Sequence, residues 1–332
     1  MKNNLNGLNK NNNRIVKNIL NKKEFGILIP LVIIFVGSGL VNPLFFSAPN
    51  ITNILFQSSF IFIIGVAMTF VLISAGLDLS VGSVLGLGGV VTGLALLAGL
   101  PIWLSIFVGI LLGVAVGIFN GFFITKFNMP TLIVTLSMMY IARGICEYLT
   151  RGNPVYPLPQ VFNNIGQGRI LITPEFGLPW PVVIAVFFGI VGHIVLTKTT
   201  FGRAVFAIGG NLETARLSGI NVNKITMLIY IFSAVMASLS GIITAARLGS
   251  ALSNAGTGME LNVIAAVIIG GTSMFGGVGS ILGTAIGALI MTTVTNAMAM
   301  LKISVFLQKV IIGSIILIAV GIDQYNRKRS GI

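Results

Sequence analysis

Apolar residues run along this chain in long blocks without charge. They form neither the short alternations of half-buried strands nor the one-sided stripes of surface helices. No charged residue occurs between Glu24 and Asp78, or between Asp78 and Lys126. A bilayer core takes about 20 apolar residues per helix, and charges inside it are costly. Each interval therefore holds two spans, 27–46 with 51–74, and 81–100 with 101–125. Further spans are predicted at 129–149, 180–197, 225–246, 261–273, 281–300 and 303–325. The stretch 151–179 is polar and broken by Pro and Gly, so it is read as a loop. Segment 261–273 is short and is either a full crossing or a re-entrant helix; the count below takes it as crossing. The fold class is all-α, a polytopic transmembrane bundle of about ten helices.

Composition agrees: 55% of the 332 residues are hydrophobic and 8% charged, with mean hydropathy +1.01. Soluble domains carry about a quarter charged residues. The net charge of +13 does not imply nucleic acid, because the basic residues sit in tails and loops beside apolar spans. Lys2, Lys10, Arg14, Lys17, Lys22 and Lys23 crowd the amino end, and Arg327, Lys328 and Arg329 the carboxyl end. Basic flanks stay in the cytoplasm, so both termini are predicted cytoplasmic and the span count even. Three regions follow: a disordered tail at 1–24, a membrane domain at 25–325 and a basic tail at 326–332. The segment 198–224 then falls inside the cell, while Arg151, Arg169, Arg247 and Lys302 fall outside. Trp103 and Trp180 sit near outer ends, where indoles anchor at interfaces. The predicted location is the cell membrane, in contact with lipid.

The cytoplasmic stretch 209–224 reads G-G-N-L-E-T-A-R-L-S-G-I-N-V-N-K. Asn211 can cap a short helix through Glu213, Thr214, Ala215 and Arg216, and Gly219 can end it. A helix held outside the bilayer between two spans is a handle for a soluble partner; the plainer reading is a solvated connector. Asp78 and Ser80 precede the third span, where either side chain can accept N–H bonds from its first turn. An intramembrane acid is also a candidate for the pathway or its gate. Gln57 and Asn120, with Ser58, Ser59 and Thr69, can line a route for a hydroxyl-rich solute or bond between helices. Arg143 and Glu147, four apart, can pair. Gly82–Gly86–Gly89, Gly109–Gly113–Gly117 and Gly279–Gly283–Gly287 form small-residue faces that let helices approach closely.

The chain offers little for catalysis. One His, His193, one Cys, Cys146, and seven dispersed acids supply neither a nucleophile–base–acid set nor a metal site. The Gly-rich run 270–280 lacks the G-K-[ST] of a phosphate loop. No enzyme, metal or bound cofactor is expected, and any ATP must be used by another subunit.

Glu213-Thr214-Ala215 with Gly219 resembles the E-A-A-x-x-x-G coupling motif of ABC importer permeases, with Thr for the first Ala. T-x-x-G-R-A-V-F-A-I-G-G-N at 199–211, G-L-D-L-S-V-G-S at 76–83 and A-G-T-G-M-E-L-N-V-I-A-A-V-I-I-G-G-T-S at 255–273 are similar to the ribose/xylose-type sugar permease branch, most of all to its ribose permeases. The resemblance covers roughly 45–320. It implies a homodimer that carries a monosaccharide, ribose first, with a separate ATP-binding subunit pressing on the 213–219 helix. An extracytoplasmic sugar-binding protein would deliver the cargo. The alternative is an ion-coupled secondary transporter, which places an acid and its substrate near the midplane; Asp78 is the candidate acid.

Overall fold

The structure, a computed structural model, describes residues 23–173 and 177–329. Among them, thirteen helices run as α1 (Lys23–Val41), α2 (Ala48–Ile73), α3 (Val81–Leu97), α4 (Ile102–Lys126), α5 (Thr131–Thr150), α6 (Gln160–Gln167), α7 (Trp180–Lys198), α8 (Thr200–Gly210), α9 (Leu212–Leu217), α10 (Val222–Leu248), α11 (Met259–Ile269), α12 (Ile281–Met300) and α13 (Val305–Arg329). A 3₁₀ turn (Pro43–Phe46) joins α1 to α2. Between α6 and α7, β1 (Arg169–Leu171) pairs antiparallel with β2 (Gly177–Pro179), Ile170 opposite Leu178. The broken stretch 151–179 is thus a short helix and a hairpin.

Seven helices are long and apolar enough to cross a membrane: α2, α4, α5, α7, α10, α12 and most of α13. Three shorter apolar helices lie in the remaining predicted places, in α1, α3 and α11. At 1.5 Å per residue, the eleven residues of α11 extend about 16 Å, half of a hydrocarbon core of about 30 Å. The predicted tail at 1–24 lies outside the described residues except for its last two, which already belong to α1. At the other end, helix continues through 326–329, where a separate tail was expected.

Contacts at the helix ends show how the chain alternates. The end of α2, the end of α8 and the turn after α11 meet: Gly277 N–H donates to Ile73 O at 2.9 Å, and a Cβ on Gly209 would strike Ile73 O. Asp323 of α13 joins them, its Oδ2 accepting from Ser273 Oγ and Met274 N, both at 3.1 Å. At the opposite end, α6 packs on the last turn of α10, where Gln167 Nε2 donates to Arg247 O at 2.9 Å. The exposed Trp103 and Trp180 start their helices at this second end. Short α11 still carries the chain between the ends, because non-helical segments extend it on both sides: 249–258 before it and 270–280 after it.

The apolar core forms around α2, α3 and α10. In α2, 83% of the most apolar window is buried, against none in α13, so α2 is central and α13 peripheral. Small residues make the closest crossings. A Cβ on Gly117 of α4 would collide with the Ile231 backbone of α10, and one on Gly287 of α12 with the Ala266 carbonyl of α11. The three predicted glycine faces are therefore sites where backbones touch.

Candidate functional site

Two places in the bundle gather several of its polar residues. The first begins at the end shared by α2, α8 and the turn after α11. Helix α8 starts at Thr199, whose Oγ1 accepts from Gly202 N, and runs to Gly210. The expected loop 198–224 thus holds two helices, because Arg203 to Gly209 is apolar enough to pack Val205 and Ile208 inward. Helix α9 follows after one residue. Asn211 Oδ1 accepts from Thr214 N at 2.9 Å, as a cap should. Gly219 has φ +80°, a left-handed turn that suits glycine and ends the helix. Ala215 is buried against Ile208 and Val222, while Glu213, Thr214, Arg216 and Leu217 are exposed. One small residue anchors α9 to the protein, and its charged face is presented outward.

Behind this end lies Asp78, fully buried in the non-helical stretch between α2 and α3. Its Oδ1 accepts from Ser80 N at 2.9 Å and from Ser80 Oγ at 2.6 Å. Its Oδ2 accepts from Ser233 Oγ of α10 at 2.7 Å. Asn120 of α4 donates to Ser80 Oγ at 3.2 Å, and Tyr230 Oη donates to Leu77 O at 3.1 Å. The carboxylate therefore ties its own stretch to α10, and through Ser80 to α4. Asp78 does accept an N–H at the start of α3, but Ser80 makes no side-chain cap of its own. Ser233 lies eleven positions into α10 (233 − 222), about 16 Å along its axis. Asp78 therefore lies well inside the bundle although it belongs to the non-helical stretch between α2 and α3.

The second place is a cavity of about 320 Å³ between α2, α10, α11 and α12, toward the opposite end. Gln57, Thr244, Arg247, Asn262, Thr292 and Thr295 bring polar groups to it, with Phe60 and Met291 among the apolar walls. The Arg247 guanidinium lies 4.1 Å from the centre of the Phe56 ring. Gln57 Nε2 donates to Asn53 Oδ1 at 3.1 Å, one turn earlier on α2.

Of the pathway candidates, Asp78, Ser80 and Asn120 are thus brought together in one buried knot, and Gln57 lies apart in the cavity. Sequence reading missed Ser233, Arg247 and Asn262. Arg247 had been placed only as an outer-loop charge, and its position at the last turn of an apolar helix was the available signal. Arg143 donates to the carbonyls of Ser253 and Ala255, the latter at 3.0 Å, and not to Glu147. Among the described residues no group of His, Cys, Asp or Glu side chains is arranged to hold a metal.

A family model described as branched-chain amino acid transport system / permease component matches residues 50–320. The chain belongs to that permease family. It is 40% identical over 302 residues to the ribose import permease protein of Haemophilus influenzae, covering 90% of this chain and 92% of that one. It is 41% identical over 310 residues to the ribose import permease protein of Bacillus subtilis (93% and 94% covered). It is 34% identical over 343 residues to the xylose transport system permease protein of Escherichia coli K12 (86% and 87%). No solved structure matches. The chain is a transport permease of the cell membrane, and the sugar-permease resemblance carried by its motifs holds over most of its length.

Proposed function

We propose that this chain is the membrane-spanning subunit of an ATP-driven importer for a monosaccharide, ribose first and xylose next. It works with a separate ATP-binding subunit, an extracytoplasmic sugar-binding protein and a second copy of itself. The bundle has ten spans, with both termini and α9 in the cytoplasm. The ribose and xylose permeases to which it is similar support the cargo.

One observation carries the mechanism: α8 packs directly onto the end of α2 that leads into Asp78, and α9 packs on α8. A push on the exposed face of α9 passes through Ala215 and Ile208 to α8. Gly209 bears on the Ile73 carbonyl with no side chain between to absorb it. Beyond Ile73, the Asp78 knot links the moving segment to α4 and α10. Packed interfaces shift between discrete arrangements and do not bend continuously. A nucleotide-driven change in the partner thus biases inward- against outward-open states by differential binding. No catalytic group or cofactor of this chain takes part.

Glu213→Lys and Gly219→Pro should each abolish sugar uptake in cells that carry the whole importer, with the permease still in the membrane at normal amount. Wild-type uptake by both variants would remove α9 from the coupling role. An ion-coupled transporter is the less supported reading, because Asp78 has three donors on its two oxygens and, among the described residues, no carboxylate lines the cavity.

A further inference from the structure

The cavity beside Arg247 goes beyond that reading, although its cargo rests on it. We propose that this cavity is a subsite of the permease itself that binds the uncharged sugar in transit, held by Arg247, Gln57, Asn262 and Thr295.

Several features point to a ligand. The volume, about 320 Å³, lies at the lower end of small-molecule sites, which span about 300–1,000 Å³. Polar groups converge on it from α2 and from three successive helices late in the chain, α10, α11 and α12. A guanidinium has five N–H donors in a fixed fork. That of Arg247 is half-buried, stacks on Phe56 and has no carboxylate or carbonyl acceptor among the described residues. Stacking orients the fork and leaves its donors unspent. The Gln57 and Asn262 amides both donate and accept, and the hydroxyls of Thr244, Thr292 and Thr295, whose protons go to carbonyls of their own helices, add acceptors for the hydroxyls of a sugar. Phe60 and Met291 supply apolar surface for the C–H faces of a sugar.

The charge pattern narrows the class of solute. Among the described residues Arg247 is the sole charged one lining the cavity, so a cation is repelled and a neutral polyol or a sugar acid is accepted. The neutral sugar is favoured because amide and hydroxyl groups outnumber the one cation. The location also fits transit. The cavity lies at the end away from α9, where a delivered sugar would first enter, and α2 and α10 both run from it to the Asp78 knot.

Single cysteines at Ile61→Cys or Met259→Cys, which line the cavity without being among the four sugar ligands, in a Cys146→Ser chain, in membranes, allow occupancy to be read without transport. Alkylation by a small polar maleimide should slow about fivefold when ribose or xylose is present at about four times its dissociation constant. Choline should leave the rate unchanged at both positions. Unchanged rates with both sugars at both positions would overturn the subsite, as would protection by the corresponding aldonic acids alone. Sugar uptake by the Cys-containing parent importer is measured alongside. Protection without parental uptake keeps the subsite and removes the importer reading; parental uptake without protection does the reverse.

Discussion

Asp78 and Gln57 are both polar residues amid apolar sequence, yet the bundle uses them in opposite ways. Asp78 is fully buried, and both its oxygens are occupied by donors from its own loop and from α10. Gln57 is half-buried, is bonded to its neighbour Asn53 on the same helix, and borders open space shared with Arg247. A buried carboxylate whose oxygens are both held by donors is costly to release. A set of polar groups with spare capacity around a cavity can exchange partners at little cost. The first arrangement suits a joint that transmits force, the second a surface that a solute visits and leaves.

The contrast is broken most severely at Asp78. Asp78→Leu leaves the Ser80 amide, the Ser80 hydroxyl and the Ser233 hydroxyl without their acceptor. It should cost about 3 kcal/mol or more, seen as a large fall in Tm of the purified permease. Ser233→Ala removes one hydrogen bond to a charged group and should cost about 1.5–3 kcal/mol, with a proportionally smaller fall. Gln57→Ala should change stability by no more than about 0.5 kcal/mol, while raising the apparent KM for sugar uptake. If Gln57→Ala lowered Tm as much as Ser233→Ala, the cavity would be part of the scaffold and the distinction between the two places would disappear.

Much of this was legible in the chain because its signals are local. Apolar blocks, most of them free of charge, located the ten apolar helices of the described residues, and the Asn211 cap and Gly219 stop depend on residues within one turn of each other. The glycine faces were readable for the same reason, since helical spacing alone puts Gly113 and Gly117 on one side. What stayed hidden depends on distant partners. Ser233 is 155 positions from Asp78, and the many serines of α10 offered no way to choose it. The cavity draws on four helices, so no window of sequence displays it. Helix α8 was hidden by its flanks, since a polar, glycine-rich boundary made a packed helix look like connector. The short reach of α11 could be suspected from its length, but the irregular segments that complete its path follow from packing against Ile73 and Asp323.

The central claim is that α9 faces the cytosol and is seized there by an ATP-driven partner. A cysteine at Glu213→Cys in a Cys146→Ser chain, challenged with a membrane-impermeant thiol reagent in vesicles of both orientations, tests it most directly. Labelling in inside-out vesicles alone, and its suppression when the ATP-binding subunit is added, is the predicted result. Labelling in right-side-out vesicles alone would contradict the account.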